Sequence, residues 1–412
     1  MSKNKLIRLS IFFIPVVLIF SQCLNFNKNE DPRGSAYAGS ASCGSCHKDI
    51  YNSSLHTAHF FASQPANFHT IQGSFSKGTN EFVFNPKMKV VMDKRDTGFF
   101  QTGYENGRSV QSQRFDIAFG GVKGQTYAYW LTNELFQLPI SYVSNAHTWI
   151  NSPGYAPNRI AFERMIGTQC LGCHASYVKQ APPELPGFYD NTEGFEKSTL
   201  VYSIDCERCH GPAAEHVKFH TENPNVKNAR FIAVFNSLTR DQKINMCAIC
   251  HSGGNNHMLK PSFGFKPGDT LSSYMRVKNS NAPVNYNIID VHGNQRGLLE
   301  SSKCFMASNM DCSTCHNTHV NERDNVVLYA SRCMTCHNKN THNECKLVNQ
   351  VGATLLANNC ISCHMPAFSS KLIIAGQAGA LVHTHHIAVY PEEAKKVLNY
   401  LKVKTAYNNL QN

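Results

Sequence analysis

The order of apolar and polar positions divides the chain into regions of different texture. Lys3, Lys5 and Arg8 precede an apolar run from Ile11 to Phe20. A charged start followed by a short apolar stretch has the form of an export signal, here residues 1–22, and is too short to span a bilayer permanently. Cys23 follows in Phe20-Ser21-Gln22-Cys23, which looks like a lipidation site and implies a membrane anchor at Cys23. Ordinary cleavage or a retained anchor is the alternative. Residues 23–38 carry few large apolar side chains and read as a flexible tether.

Further along, Glu81-Phe-Val-Phe84, Met88-Lys-Val-Val-Met92, Gly98 to Tyr104, Gln125 to Leu131 and Phe136 to Tyr142 are β-prone runs. Asn106-Gly107, Gly120-Gly121 and Pro86 punctuate them, and Asn151 to Tyr155 closes the series as a turn. This predicts an antiparallel β-rich insert over residues 75–165. At the other end, Pro391 at a helix start, Glu392 and Glu393 in its first turn, and Val397, Leu398 and Leu401 at helical spacing predict a C-terminal helix over 391–412. The segments 39–74 and 166–390 read as short helices and long loops. The fold expected is therefore mainly α, with the β-rich insert as the exception.

Cysteine placement changes the picture most. The pentapeptide Cys-x-x-Cys-His occurs seven times and uses 14 of the 17 cysteines. The copies are Cys43/Cys46/His47, Cys170/Cys173/His174, Cys206/Cys209/His210, Cys247/Cys250/His251, Cys312/Cys315/His316, Cys333/Cys336/His337 and Cys360/Cys363/His364. From this composition chance gives roughly 0.03 matches. The pentapeptide is the attachment signature of haem c, with two thioether bonds to the porphyrin and the histidine as proximal iron ligand. Zinc ribbons and redox dithiols also use Cys-x-x-Cys, but neither fixes a histidine at the next position seven times. The pattern predicts seven covalently attached haem c groups, and haem attachment outside the cytoplasm agrees with the export signal. We number the sites 1 to 7 in chain order.

The formal charge of +11 suggests acidic partners at first sight. Removing residues 1–22 leaves +8, because Lys3, Lys5 and Arg8 go with them. Seven haems with ionised propionates bring this to about +1 oxidised and about −6 reduced. The cations balance propionates, and nucleic-acid binding has no support.

An iron that only passes electrons needs a second axial ligand. Thirteen histidines remain after the motif residues: His56, His59, His69, His147, His216, His220, His257, His292, His319, His342, His383, His385 and His386. Local context favours His56, His59, His216, His292, His319, His342, His383 and His385. His216 and His319 follow their own motifs so closely that they point to other haems. His69, His147 and His220 read as structural or surface residues. Met306 and Met365 are less favoured sulfur ligands. Cys304 and Cys345 are expected to pair as a disulfide in an oxidising compartment.

These residues resemble the multihaem cytochromes of the cytochrome c-554-like family, related to hydroxylamine-oxidoreductase-type and nitrite-reductase-type proteins. The resemblance rests on Cys43 to His59, on Cys206-Glu-Arg-Cys-His-Gly-Pro-Ala-Ala-Glu-His216, on Ser302 to Cys304 leading into Cys312 to His319, and on Cys360 to Pro366 with His383 to His385. It covers residues 39–74 and 166–390, and implies an architecture built around a chain of closely spaced haems, with His216 and His319 ligating neighbours. No motif ends in Lys, as the catalytic haem of nitrite-reductase-type relatives does, and no tyrosine stands in a recognisable cross-linking context. The expected role is electron transfer between other redox proteins of the bacterial cell envelope by an exported lipoprotein facing the periplasm. The alternatives are a reductase or oxidase of a small nitrogen or sulfur compound at one open haem, or a docking subunit of an envelope electron-transfer complex.

Overall fold

A computed structural model describes residues 31–184, 193–253, 256–276, 291–341, 345–352, 355–356, 358–375 and 378–411. The export signal, Cys23 and His342 lie outside them.

The described residues hold sixteen strands in four antiparallel sheets, which overturns the expectation of a mainly α fold. The reason lies in helix length. Several helices that carry motifs are brief: Ser40–Gly44 and Cys206–His210 have five residues each, and Thr168–His174 has seven, although Arg240–His251 has twelve. Elements this short add little regular structure, so the strands set the class.

The strands from the first sheet region are β1 (Ser63–Pro65), β2 (Glu81–Asn85), β3 (Met88–Arg95), β4 (Gly98–Glu105), β5 (Arg108–Arg114), β6 (Ile117–Gly120), β7 (Gly124–Leu131), β8 (Glu134–Gln137), β9 (Ile140–Val143) and β10 (Thr148–Asn151). β2 to β5 form a meander in sequence order. Its last turn is Asn106-Gly107, both at positive φ, joining Glu105 opposite Arg108. That is the backbone a two-residue hairpin requires. Val90 and Met92 alternate inward on β3 and join Phe115, Tyr127 and Trp149 in the largest core cluster. Gly73 lies flat on the Trp149 ring, and a Cβ there would come within 2.0 Å of it.

The eight-stranded sheet runs β1-β6-β7-β8, then crosses to β12 (Gly194–Tyr202) and β11 (Ala175–Ala181), with β9 and β10 to the side. β11 begins at the residue after His174 and β12 ends four residues before Cys206. The sheet therefore takes strands from both sides of site 2 rather than standing apart as an insert. Two hairpins lie in the region read as loops and helices: β13 (His257–Met258) with β14 (Met275–Arg276), and β15 (Ala367–Ala375) with β16 (Ala378–His383). A 21-residue helix, Pro391–Gln411, ends the chain.

A buried ion cluster joins the start of the described chain to site 3. Arg33 is 5% exposed and binds Asp31 at 2.8 Å, Asp205 at 2.8 Å and Glu207 at 3.1 Å. Glu207 also accepts from the backbone amides of Ala38 (2.9 Å), Gly39 (2.8 Å) and Ala213 (2.8 Å). Burial pushes the Asp31 carboxyl upward, but hydrogen bonds and the charge of Arg33 win and hold it below its ordinary value. Stability from that shift is present above the unfolded carboxylate pKa and is lost as pH falls through the lowered folded one. Removing the cation leaves three buried carboxylates facing each other. Arg33→Ala is expected to cost about 3–5 kcal/mol in denaturant unfolding, with part of the loss recovered in acid; an unchanged midpoint at neutral pH contradicts this.

Candidate haem centres

Each attachment pentapeptide is one helical turn. Where it is not part of a longer helix, the histidine amide bonds back to the first cysteine carbonyl: His47 to Cys43 at 2.8 Å, His316 to Cys312 at 3.0 Å and His337 to Cys333 at 3.0 Å. Positions one turn apart share a face, so this wind brings both thiols and the imidazole to the same side. Local sequence fixes the turns. Asp205 caps the site 3 helix through the Arg208 amide, Thr239 and Gln242 form a capping box on the helix Arg240–His251, and Asp311 with Thr314 does the same at site 5.

The motif thiols are not equally enclosed. Cys46 departs from its partner in the same pentapeptide: Cys43 is half-buried, whereas Cys46 is exposed, with the Ser45 hydroxyl directed at its sulfur from 3.9 Å. The helix Ser40–Gly44 ends before Cys46, which therefore sits in the turn beyond it, outside the contact that Cys43 makes with site 3. Cys170 and Cys336 are exposed as well. Assignment of Cys46 as an attachment thiol thus rests on the motif and not on its surroundings.

The outer ring nitrogens are engaged. Nδ1 of His174 faces the Ala62 carbonyl at 3.4 Å, that of His364 the Ala388 carbonyl at 2.9 Å, and that of His216 the Arg230 carbonyl at 2.7 Å. His383 Nδ1 faces the Met365 carbonyl at 2.5 Å. A carbonyl only accepts, so Nδ1 donates in each case and Nε2 keeps the lone pair a metal needs. His251 and His316 use side chains instead: Gln295 Oε1 at 3.3 Å and the Tyr329 hydroxyl at 3.4 Å.

Four pairs of imidazoles face one another across a narrow range of separation. Ring centroids are 6.4 Å apart for His47 and His216, 6.3 Å for His59 and His251, 6.0 Å for His210 and His319, and 6.1 Å for His316 and His385. A first-row metal binds an imidazole nitrogen at about 2 Å, and the ring centroid lies roughly 1 Å behind it, so two ligands opposite each other on one ion stand about 6 Å apart. Aromatic pairs in direct contact also cover part of this range. Membership decides between the two: every pair joins one motif histidine to one that is not in a motif. His216 and His220, by contrast, touch directly at 4.6 Å. The donor set thus fits bis-imidazole iron at sites 1, 4, 3 and 5.

The electrostatic surroundings agree with neutral ligands, although the His59, His210 and His385 side chains are only half-buried and those of His174 and His316 reach the surface. Desolvation, aided by neighbouring imidazoles, pushes His59 and His385 down to about 4, and lowers His174, His210 and His316. Metal-binding imidazole must be unprotonated, so a pocket that refuses the imidazolium favours the ligand form.

The structure sorts the sequence candidates. His59, His216, His319 and His385 each stand opposite a motif histidine. His56 is exposed and belongs to none of the four pairs. His292 lies near enough to His174 to depress its pKa. His383 is exposed, held by the Met365 carbonyl beside His385. Sites 2, 6 and 7 are not among the four pairs. Cys304 and Cys345 are free thiols, against the expected disulfide: Cys304 neighbours Cys336, and Cys345 neighbours Cys363. His220 reads from sequence as structural or surface, yet its Nε2 is buried without a hydrogen-bond partner beside the ring of His216. Spacing from its own motif gives no sign of this. The outer partners Gln295 and Tyr329 also escape sequence reasoning, since neither lies in a motif.

The family model for cytochrome c554 and c-prime matches residues 152–211, which span sites 2 and 3. No curated protein matches the chain in sequence. Among solved structures, the outer cell wall cytochrome OcwA is similar in fold, with a TM-score of 0.52 and 15% identity, over 88% of this chain and 81% of that one. Motifs, family match and fold together support a multihaem c-type cytochrome. The comparisons do not extend to the hydroxylamine-oxidising or nitrite-reducing relatives.

His216→Ala is expected to convert one haem to high spin and to raise the number of CO molecules bound by the reduced protein by one. His56→Ala is expected to leave the spectrum unchanged. Low-spin spectra for both variants contradict the pairing of His47 with His216.

Proposed function

We propose that the chain carries seven haem c groups and relays electrons between redox proteins of the bacterial cell envelope. The observation that carries this reading is the set of four opposed imidazole pairs, each with one motif member. When bound, haem supplies one-electron cycling between ferric and ferrous iron.

The protein's own residues do the rest. Fourteen motif cysteines tether the porphyrin edges. Carbonyls such as those of Ala62 and Ala388 orient the motif rings, and orientation and basicity of an axial imidazole follow from that outer bond. The surroundings of the half-buried His59 and His385 disfavour the protonated ring, which leaves their nitrogens available to a metal. The excess of lysine and arginine offsets propionate charge. None of these tasks requires a general acid or base.

An envelope location accords with the export signal and with the fold neighbour OcwA, an outer cell wall cytochrome. No helix among the described residues is long and apolar enough to cross a membrane; lipidation at Cys23 would supply a membrane attachment. A second reading, turnover of a small nitrogen or sulfur compound, draws on site 7: His364 is anchored by Ala388 but is not a member of the four pairs.

Intact mass of the holoprotein is expected to show seven haems, and a redox titration the uptake of seven electrons. Fewer haems contradict the count. Cys23→Ala is expected to move the protein from the membrane to the soluble fraction. CO binding by the reduced wild-type protein together with substrate turnover would displace the carrier reading in favour of the second.

A further inference from the structure

The motifs touch one another, and the contacts have an order. The helices Ser40–Gly44 and Cys206–His210 pack together, bringing Cys43 to Cys206, and the Cys206 amide donates to Ser40 Oγ at 3.2 Å, which joins site 1 to site 3. Cys173 Sγ lies 3.9 Å from the Cys250 carbonyl and Cys250 Sγ 3.7 Å from the Gly172 carbonyl, which joins site 2 to site 4. Cys247 meets Cys312, and Lys243 reaches Asp311 at 4.0 Å, which joins site 4 to site 5. Arg332 precedes Cys333 and donates to the Cys315 carbonyl at 2.6 Å, bringing site 6 onto site 5. The helices Val326–Met334 and Cys360–His364 pack together, which brings Cys333 to Cys360 and joins site 6 to site 7.

Site 3 closes the gap in the middle. Arg208, inside its motif, donates to the Gly172 carbonyl at 3.2 Å, and Cys209 lies beside Cys250 and Cys247. The Gly172 carbonyl also accepts from Ser262 Oγ at 2.9 Å, so one peptide oxygen is the meeting point of sites 2, 3 and 4. Side-chain volume is excluded there: a Cβ on residue 172 would lie 2.3 Å from Ser262 Oγ.

Resting on the haem-carrier reading, we infer that the seven attachment sites form a line, 1–3–4–5–6–7, with site 2 set against both site 3 and site 4 at the Gly172 carbonyl. Chain order and spatial order therefore differ, and the line ends at sites 1 and 7. Site 2 lies against the large sheet, where Phe119 of β6 meets the His174 ring edge-on at 5.7 Å. Site 7 ends beside the exposed thiol of Cys345.

That thiol is the handle for the test. A ruthenium polypyridyl complex is attached to Cys345 of the oxidised holoprotein. A sacrificial amine reduces the photoexcited label, which then passes one electron at a time to ferric iron, and the haems reduced in the fast phase are counted optically. The order expects all seven in the wild type. It expects all six in Cys170→Ala/Cys173→Ala, which lacks site 2, and only one in Cys333→Ala/Cys336→Ala, which lacks site 6. Overturning results are four fast haems without site 2, which places sites 1 and 3 behind it, or six without site 6. Intact mass separates the two readings: a wild type with fewer than seven haems fails the haem count and not the order. If either variant does not load, a nitroxide at Cys345 of the intact seven-haem protein decides by dipolar distances to ferric iron. Site 7 must be nearest, then site 6, then site 5; a centre from sites 1 to 4 among the three nearest overturns the order.

Discussion

Each opposed imidazole pair is a clamp between segments that the sequence keeps far apart. His47 meets His216, His59 meets His251, His210 meets His319, and His316 meets His385. A ring held at the distance of one metal ion from another ring leaves little freedom for the backbones behind them. The first described helices are thus tied to the helix after site 3 and to site 4, site 3 to the loop after site 5, and site 5 to the segment after β16. A short motif helix held by thioether bonds and by an iron between opposed rings would not need length to hold its place.

The rest of the scaffold does what a porphyrin cannot. The eight-stranded sheet and the β2 to β5 meander bury their own apolar cluster around Tyr127 and Trp149, independent of any motif histidine. Arg33 and its three carboxylates hold the start of the described chain against site 3. Polar clamps of this kind cost much to break, because removing one partner leaves a buried charge uncompensated. The apolar cluster and the ion cluster are thus sources of order in the described fold that need no metal.

How much of this can be read from sequence depends on the range of the interaction. The pentapeptides and the Asn106-Gly107 hairpin are local, and their residues announce them. What a motif does not announce is its surroundings, as the exposed Cys46 beside the half-buried Cys43 makes plain. The mainly α expectation fails because Gly194 to Tyr202 and Ala367 to His383 become strands through pairing partners that no short window contains. Distal ligands divide in the same way. His216 and His319 are favoured by being too close to their own motifs, and they do face others. His56 looks as good as His59 by spacing, and only three-dimensional placement separates them. Gln295 and Tyr329 carry no signal at all, because an outer partner needs only a polar atom in the right place.

Those two side chains have a consequence for how such a protein can change over time. The rings of His174 and His364, at sites 2 and 7, lean on main-chain oxygens, which every amino acid possesses. The rings of His251 and His316, at sites 4 and 5, lean on an amide and a phenol that a single codon can remove. The orientation of the first two rings is thus heritable with the fold itself, whereas that of the other two is open to selection one residue at a time.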